Sequence, residues 1–131
     1  MIKSEQQKNR TIKILEESNE KLKTLDEYSR SSMLSFIGTL ESEIEEYEAL
    51  KRGEFTLPKN ISFVGLLKNI AKIRISKGLS QQDLAKMLRM TKQQVNRYEE
   101  HDYQNISMTK INEILDVLGI SISLDLLEKV A

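Results

Sequence analysis

Apolar residues along most of this chain recur at three- and four-residue spacings, the repeat of a helix with one buried face. Residues 3–25 read as a polar helix with a narrow stripe: Ile12, Leu15, Leu22 and Leu25, with Asn19 in the stripe position between them. A polar residue in such a seam can fix register at some cost in stability. Residues 26–32 read as a connection. Ser32 to Arg52 carries a stronger stripe, Met33, Ile37, Leu40, Ile44 and Tyr47, which Leu34 and Leu50 widen; Gly53 supplies a stop.

Neither stripe is satisfied alone in water, so the two helices are expected to fold back as an antiparallel hairpin. Its role is either to extend the core or dimerise, or to hold a second protein such as a toxin. Residues 53–60, with Pro58, form a short linker. The expected units are residues 1–53, the N-terminal hairpin for dimerisation or partner binding, and residues 54–131, a compact helical domain with a C-terminal tail.

The second unit reads as four helices. Leu66, Ile70 and Ile73 mark one over residues 62–77, followed by Gly78, where left-handed backbone is commonly needed. Ser80, with Asp83 three residues on, caps a helix over 81–88. Arg89 and Met90 make a turn, Thr91 caps a helix over 92–99, and Ser107 caps one over 108–118 that Gly119 closes. In the last twelve residues Ile120, Ile122, Leu124 and Leu126 alternate with Ser121, Ser123 and Asp125. That is strand periodicity, and a lone strand needs a partner. A two-fold mate would provide one; a frayed or helical tail is the alternative. The fold class is therefore all-α, with a possible short C-terminal strand.

Charge sharpens this picture. The overall formal charge is zero. Yet residues 59–97 hold nine Lys/Arg and one acid, a local +8, against −3 for residues 1–58 and −5 for residues 98–131. A basic field on a two-helix unit is what a DNA phosphate backbone attracts. Cysteine is absent, which excludes disulfides and thiolate metal sites. The first eleven residues lack the apolar core of a signal peptide, and no run approaches the roughly 18 apolar residues of a membrane span, so a soluble cytoplasmic protein is expected.

Residues 78–99 have the pattern of a helix-turn-helix. Leu84, Ala85 and Leu88 share one face of the first helix, and Val95 and Tyr98 share one face of the second. Packing these faces across a short turn crosses the helices steeply, and small Ala85 permits close approach. With Val95 and Tyr98 inward, Thr91, Lys92, Gln93, Asn96 and Arg97 turn outward. Lys and Arg match the O6 and N7 acceptors of guanine, and Gln can bridge N6 and N7 of adenine. The N-terminal part of the second helix is the part that enters the major groove.

Gly78-Leu79-Ser80-Gln81-Gln82-Asp83-Leu84-Ala85 followed by Val95-Asn96-Arg97-Tyr98-Glu99 resembles the lambda-repressor-like, or XRE-type, DNA-binding proteins, over about residues 60–120. The layout with Glu45-Glu46-Tyr47-Glu48-Ala49-Leu50 also resembles a bacterial subgroup with an N-terminal helical hairpin, often antitoxin-like. The resemblance implies that Gln81 meets a phosphate or braces the recognition helix. It places Thr91, Lys92 and Gln93 in the groove, Arg97 on a further base or phosphate, and Gln94 on the backbone. Ser107 and the start of its helix would offer N–H groups to another phosphate. The chain departs from the family at Arg89, where Gly is usual. A left-handed Arg there costs about 1 kcal/mol, unless the turn differs. The acidic flank of Glu99, Glu100 and Asp102 is expected to point away from phosphate.

His101, the single histidine, sits between Glu100 and Asp102 and reads as a solvated loop residue rather than a ligand or base. The carboxylates of Glu41, Glu43, Glu45, Glu46 and Glu48 read as a solvated helix face. No catalytic residue, metal or cofactor is expected, so the chain is read as a non-enzyme. The expected function is a sequence-specific transcriptional regulator, a dimeric repressor that reads a palindromic operator in double-stranded DNA through residues 92–99. The alternative is an antitoxin that neutralises a toxin through its hairpin and regulates its own operon.

Overall fold

The structure is a computed structural model that describes residues 1–130. Six helices follow in order: α1 (Glu5–Leu22), α2 (Glu27–Lys51), α3 (Phe63–Ser76), α4 (Gln81–Leu88), α5 (Lys92–Glu100) and α6 (Met108–Val117). Each begins on a side-chain cap. Ser4, Asp26, Ser62, Ser80, Thr91 and Ser107 each accept a hydrogen bond from the backbone N–H three residues on, satisfying one donor that a helix start leaves orphaned. The Asp26 cap starts α2 at Glu27, earlier than the apolar stripe suggests, so the connection shrinks to residues 23–26. Residues 27–32 are helical without an apolar rhythm, which is why the pattern missed them.

α1 and α2 pack against each other along their lengths. Glu5 and Lys8 near the start of α1 meet Glu48 and Lys51 near the end of α2, with Lys8 Nζ 2.9 Å from both Glu5 and Glu48. At the other end, Arg30 Nη1 donates to the Leu22 carbonyl at 2.6 Å. The seam differs from the expected one. Ser18, not Asn19, is buried, and Asn19 faces solvent. Residues 11, 15, 18 and 22 follow the helical repeat, and Ser18 is small enough for α2 to approach. Ile37, Leu40, Tyr47 and Leu50 face inward on α2, whereas Leu34 remains half exposed.

The main core joins α3, α4, α5 and α6 through Leu66, Leu67, Ile70, Leu84, Ala85, Val95, Tyr103, Ile111 and Ile114. A smaller core of Ile2, Tyr47, Leu50 and Ile75 seats the N-terminal residues and the end of α2 on α3. The expected C-terminal strand is not formed. Residues 120–130 have no regular structure, and no strand occurs among the described residues. Ile120 still packs on the core, but Leu124, Leu126 and Leu127 are exposed. With no neighbouring strand to satisfy its backbone, the alternation does not suffice. No described helix is long and apolar enough to cross a membrane.

Candidate nucleic-acid interface

The α4–α5 unit is built from two reciprocal caps. The Ser80 hydroxyl accepts from Asp83 N while Asp83 accepts from Ser80 N; Thr91 and Gln94 do the same at the start of α5. Between them Arg89 takes left-handed backbone, φ 55° and ψ 44°, in the position where glycine would be free of strain. The turn therefore keeps its tight form and Arg89 carries the cost. Met90 N then donates to the Ala85 carbonyl at 2.8 Å, closing the turn over fully buried Ala85.

Residues 70–124 match the helix-turn-helix family. Over this span the chain is similar to that family, with α4 in the place of the first helix of the motif and α5 in the place of the second. No curated protein and no solved structure matches the chain.

Within the helix-turn-helix, Val95 is fully buried and Tyr98 half-buried, and Thr91, Lys92, Gln93, Gln94 and Arg97 are exposed. Lys92, Gln93, Asn96 and Arg97 line one open cleft together with Gln81. Thr91 and Gln94 are occupied in the capping box, although the Gln94 amide nitrogen has no partner among the described residues. Asn96 is half-buried; its Nδ2 donates to Glu100 at 3.1 Å and its Oδ1 accepts from Gln81 at 3.3 Å. Ser107 stands apart at the start of α6, where its hydroxyl accepts from Lys110 N. Of the two roles open to Gln81, the brace is the one its surroundings fit. It is buried, and its Nε2 donates to Glu99 Oε1 at 2.9 Å.

Glu99 does not lie in an acidic flank turned away from the interface. It is fully buried and ion-paired with Arg74, at 2.8 Å on both prongs. Tyr103 Oη donates to its other oxygen at 2.8 Å, and Lys3 Nζ donates to its backbone carbonyl. Arg74 also donates to the carbonyls of Leu79 and Lys3, each at 2.7 Å. No buried side-chain nitrogen or oxygen among the described residues lacks a partner, the condition under which a buried ion pair is tolerated. Burial, aided by the Glu99 carboxylate, pushes the Tyr103 phenol far above its ordinary range, so it stays a donor. Left-handed residues Asp102 and Tyr103 turn the chain back to deliver that phenol.

The sequence held a signal for this cluster. Glu99 stands four residues after inward Val95, and Arg74 four after inward Ile70, so helical spacing puts both in the core. The basic field is correspondingly smaller than the count of charges. Arg74 is neutralised inside, and Lys72 lies 3.5 Å from Glu46, leaving Lys59, Lys68, Lys77, Lys86, Arg89, Lys92 and Arg97 exposed. Glu100 faces the cleft rather than away from it. His101 is exposed, and no described group of residues could hold a metal ion.

Proposed function

We propose that this chain is a sequence-specific DNA-binding transcriptional regulator that reads the major groove with α5. The observation that carries the reading is the exposure of Lys92, Gln93 and Arg97 on the side of α5 opposite buried Val95. The ridge has a stiff base, because Gln81 and Arg74 hold Glu99 from beneath. Long donors on a rigid helix are what base-edge readout requires, at about 1–3 kcal/mol for each good bidentate contact. The exposed lysines and arginines around it supply the salt-dependent attraction to phosphate. The chain acts in the cytoplasm, as a binding protein rather than an enzyme.

It works as a dimeric repressor on a palindromic operator, since two copies of one helix related by two-fold symmetry read inverted half-sites about one turn apart. The exposed Leu124, Leu126 and Leu127 give the second copy an apolar segment to pair with. Selection from a pool of random duplexes, followed by gel shift, tests the reading. Enrichment of an inverted repeat supports it; recovery of no preferred sequence overturns it.

A second reading, an antitoxin that also regulates its own operon, is favoured by one feature. α1 and α2 leave Ile14, Tyr28, Leu34 and Phe36 exposed, apolar side chains that a partner would cover. A toxin encoded beside the gene, neutralised by the intact chain and not by a Leu34→Ser, Phe36→Ser variant, would support it. Equal neutralisation by both would remove it.

A further inference from the structure

Residues of α1 and α5 together wall an open cleft of about 1140 Å³. Gln6 and Arg10 line it from α1, and Lys92, Gln93 and Arg97 from α5. Arg10, Lys92 and Arg97 are exposed, and none pairs with a carboxylate among the described residues. Glu43 and Glu100 also line the cleft, but the cations outnumber them, and Asn96 holds Glu100.

A helix with its side chains is about 10–12 Å across. The major groove is about 12 Å wide. A recognition helix therefore fills the groove, and the two phosphodiester strands that bound it run directly along the helix flanks. α1 stands across the cleft from α5, on the side of one of those strands. Its position is firm, because Ile2 is buried against Tyr47, Leu50 and Ile75, and Arg74 donates to the Lys3 carbonyl. With α5 in the groove, the cleft leaves room for one of those strands between α5 and α1.

We propose that α1 is a second DNA-contacting element, with Arg10 and Gln6 binding the phosphodiester strand that passes between α1 and α5. The inference rests on the reading of α5 as the recognition helix. Arg10 brings a charged, multidentate donor to a phosphate, and Gln6 an amide donor beside it. Both contact the backbone, so they contribute affinity and register without base preference.

The test measures binding of the full-length chain, and of its Arg10→Ala, Arg10→Lys and Arg97→Ala variants, to a duplex that the unaltered protein selects from a random pool. Binding is followed across salt concentrations. Arg10 is exposed and unpaired, so a thermal melt of each variant is expected to match that of the unaltered protein. Arg10→Ala is expected to weaken binding several-fold and to flatten the plot of log affinity against log salt by about 0.9, the loss of one phosphate contact. Arg10→Lys is expected to keep the slope, and neither change to alter which sequence is preferred. A slope unchanged by Arg10→Ala, or tighter binding, overturns the proposal while leaving the α5 reading intact, provided that Arg97→Ala still weakens binding. If the unaltered chain selects no duplex, or Arg97→Ala binds equally well, the α5 reading falls and this inference with it.

Discussion

Arg74 and Glu99 form a two-pronged ion pair in the centre of the helix-turn-helix, with both N–O distances at 2.8 Å and both side chains out of water. One lies on α3 and the other on α5, so the pair sets how α5 sits on the rest of the domain. Removing one partner strands the other in the core. Glu99→Ala is expected to destabilise the fold by about 3–5 kcal/mol, measured by chemical denaturation. Replacing both partners together, Arg74→Met with Glu99→Leu, is expected to recover much of that loss. A Glu99→Ala loss under about 1 kcal/mol would mean that the pair does not hold α5 in place.

Arg89 pays a conformational cost in the turn between α4 and α5. At φ 55° its Cβ crowds the following carbonyl, a penalty that glycine avoids. Arg89→Gly is expected to stabilise the protein by about 1 kcal/mol. Denaturant midpoints for the two proteins provide the measurement, and a lower midpoint for the glycine variant would contradict the strain.

Gln93 stands on the exposed face of α5 with no intramolecular partner for its amide among the described residues. Gln93→Ala is expected to relax discrimination at one base pair of each half-site, by about 1–3 kcal/mol, and to leave the other positions unchanged. Competition gel shifts across single-base operator variants resolve this. Uniform weakening at all sites would assign Gln93 to the backbone instead.

Acid is expected to loosen the junction between α1 and α2. Hydrogen bonds from Lys51 and Lys8 hold the Glu5 carboxyl down from 4.5 to about 2. A carboxylate with a lowered folded value contributes its stability above its unfolded value and loses it as pH falls toward the folded one. The contribution is therefore complete above about pH 4.5 and disappears as pH falls to about 2. Glu5 is partly exposed, so screening keeps the effect modest. Glu5→Gln is expected to melt below the unaltered protein at neutral pH and to converge with it near the acid limit. A constant difference at all pH values would count against the pairing.

The C-terminal tail presents Leu124, Leu126 and Leu127 to solvent. Leu124→Ser with Leu126→Ser is expected to halve the mass seen by sedimentation if two copies pair through this segment. An unchanged dimer would move the interface elsewhere, to the exposed residues of α1 and α2.

Most helices were legible because local rules act within a few residues. The capped starts at Ser80, Thr91 and Ser107, the stops near Gly78 and Gly119, and the inward Val95 all follow from spacing and backbone chemistry that a linear reading can see. The start of α2 was not, because Asp26 caps a stretch of Ser and Arg that has no apolar rhythm. The surface of α5 was legible for the same reason as its core: once Val95 turns in, Lys92, Gln93 and Arg97 turn out.

What the sequence determined alone is the identity of the helix-turn-helix, since periodicity and capping are properties of neighbours along the chain. Tertiary structure decided what those helices meet. Arg74 and Glu99 are 25 residues apart, and Lys3 and Glu99 are 96 apart, and only folding brings them together. It also turned a count of nine bases into a smaller surface field, and brought Arg10 and Arg97 to the walls of one cleft. Formal charge belongs to the sequence, but the field a partner feels depends on which charges water still reaches.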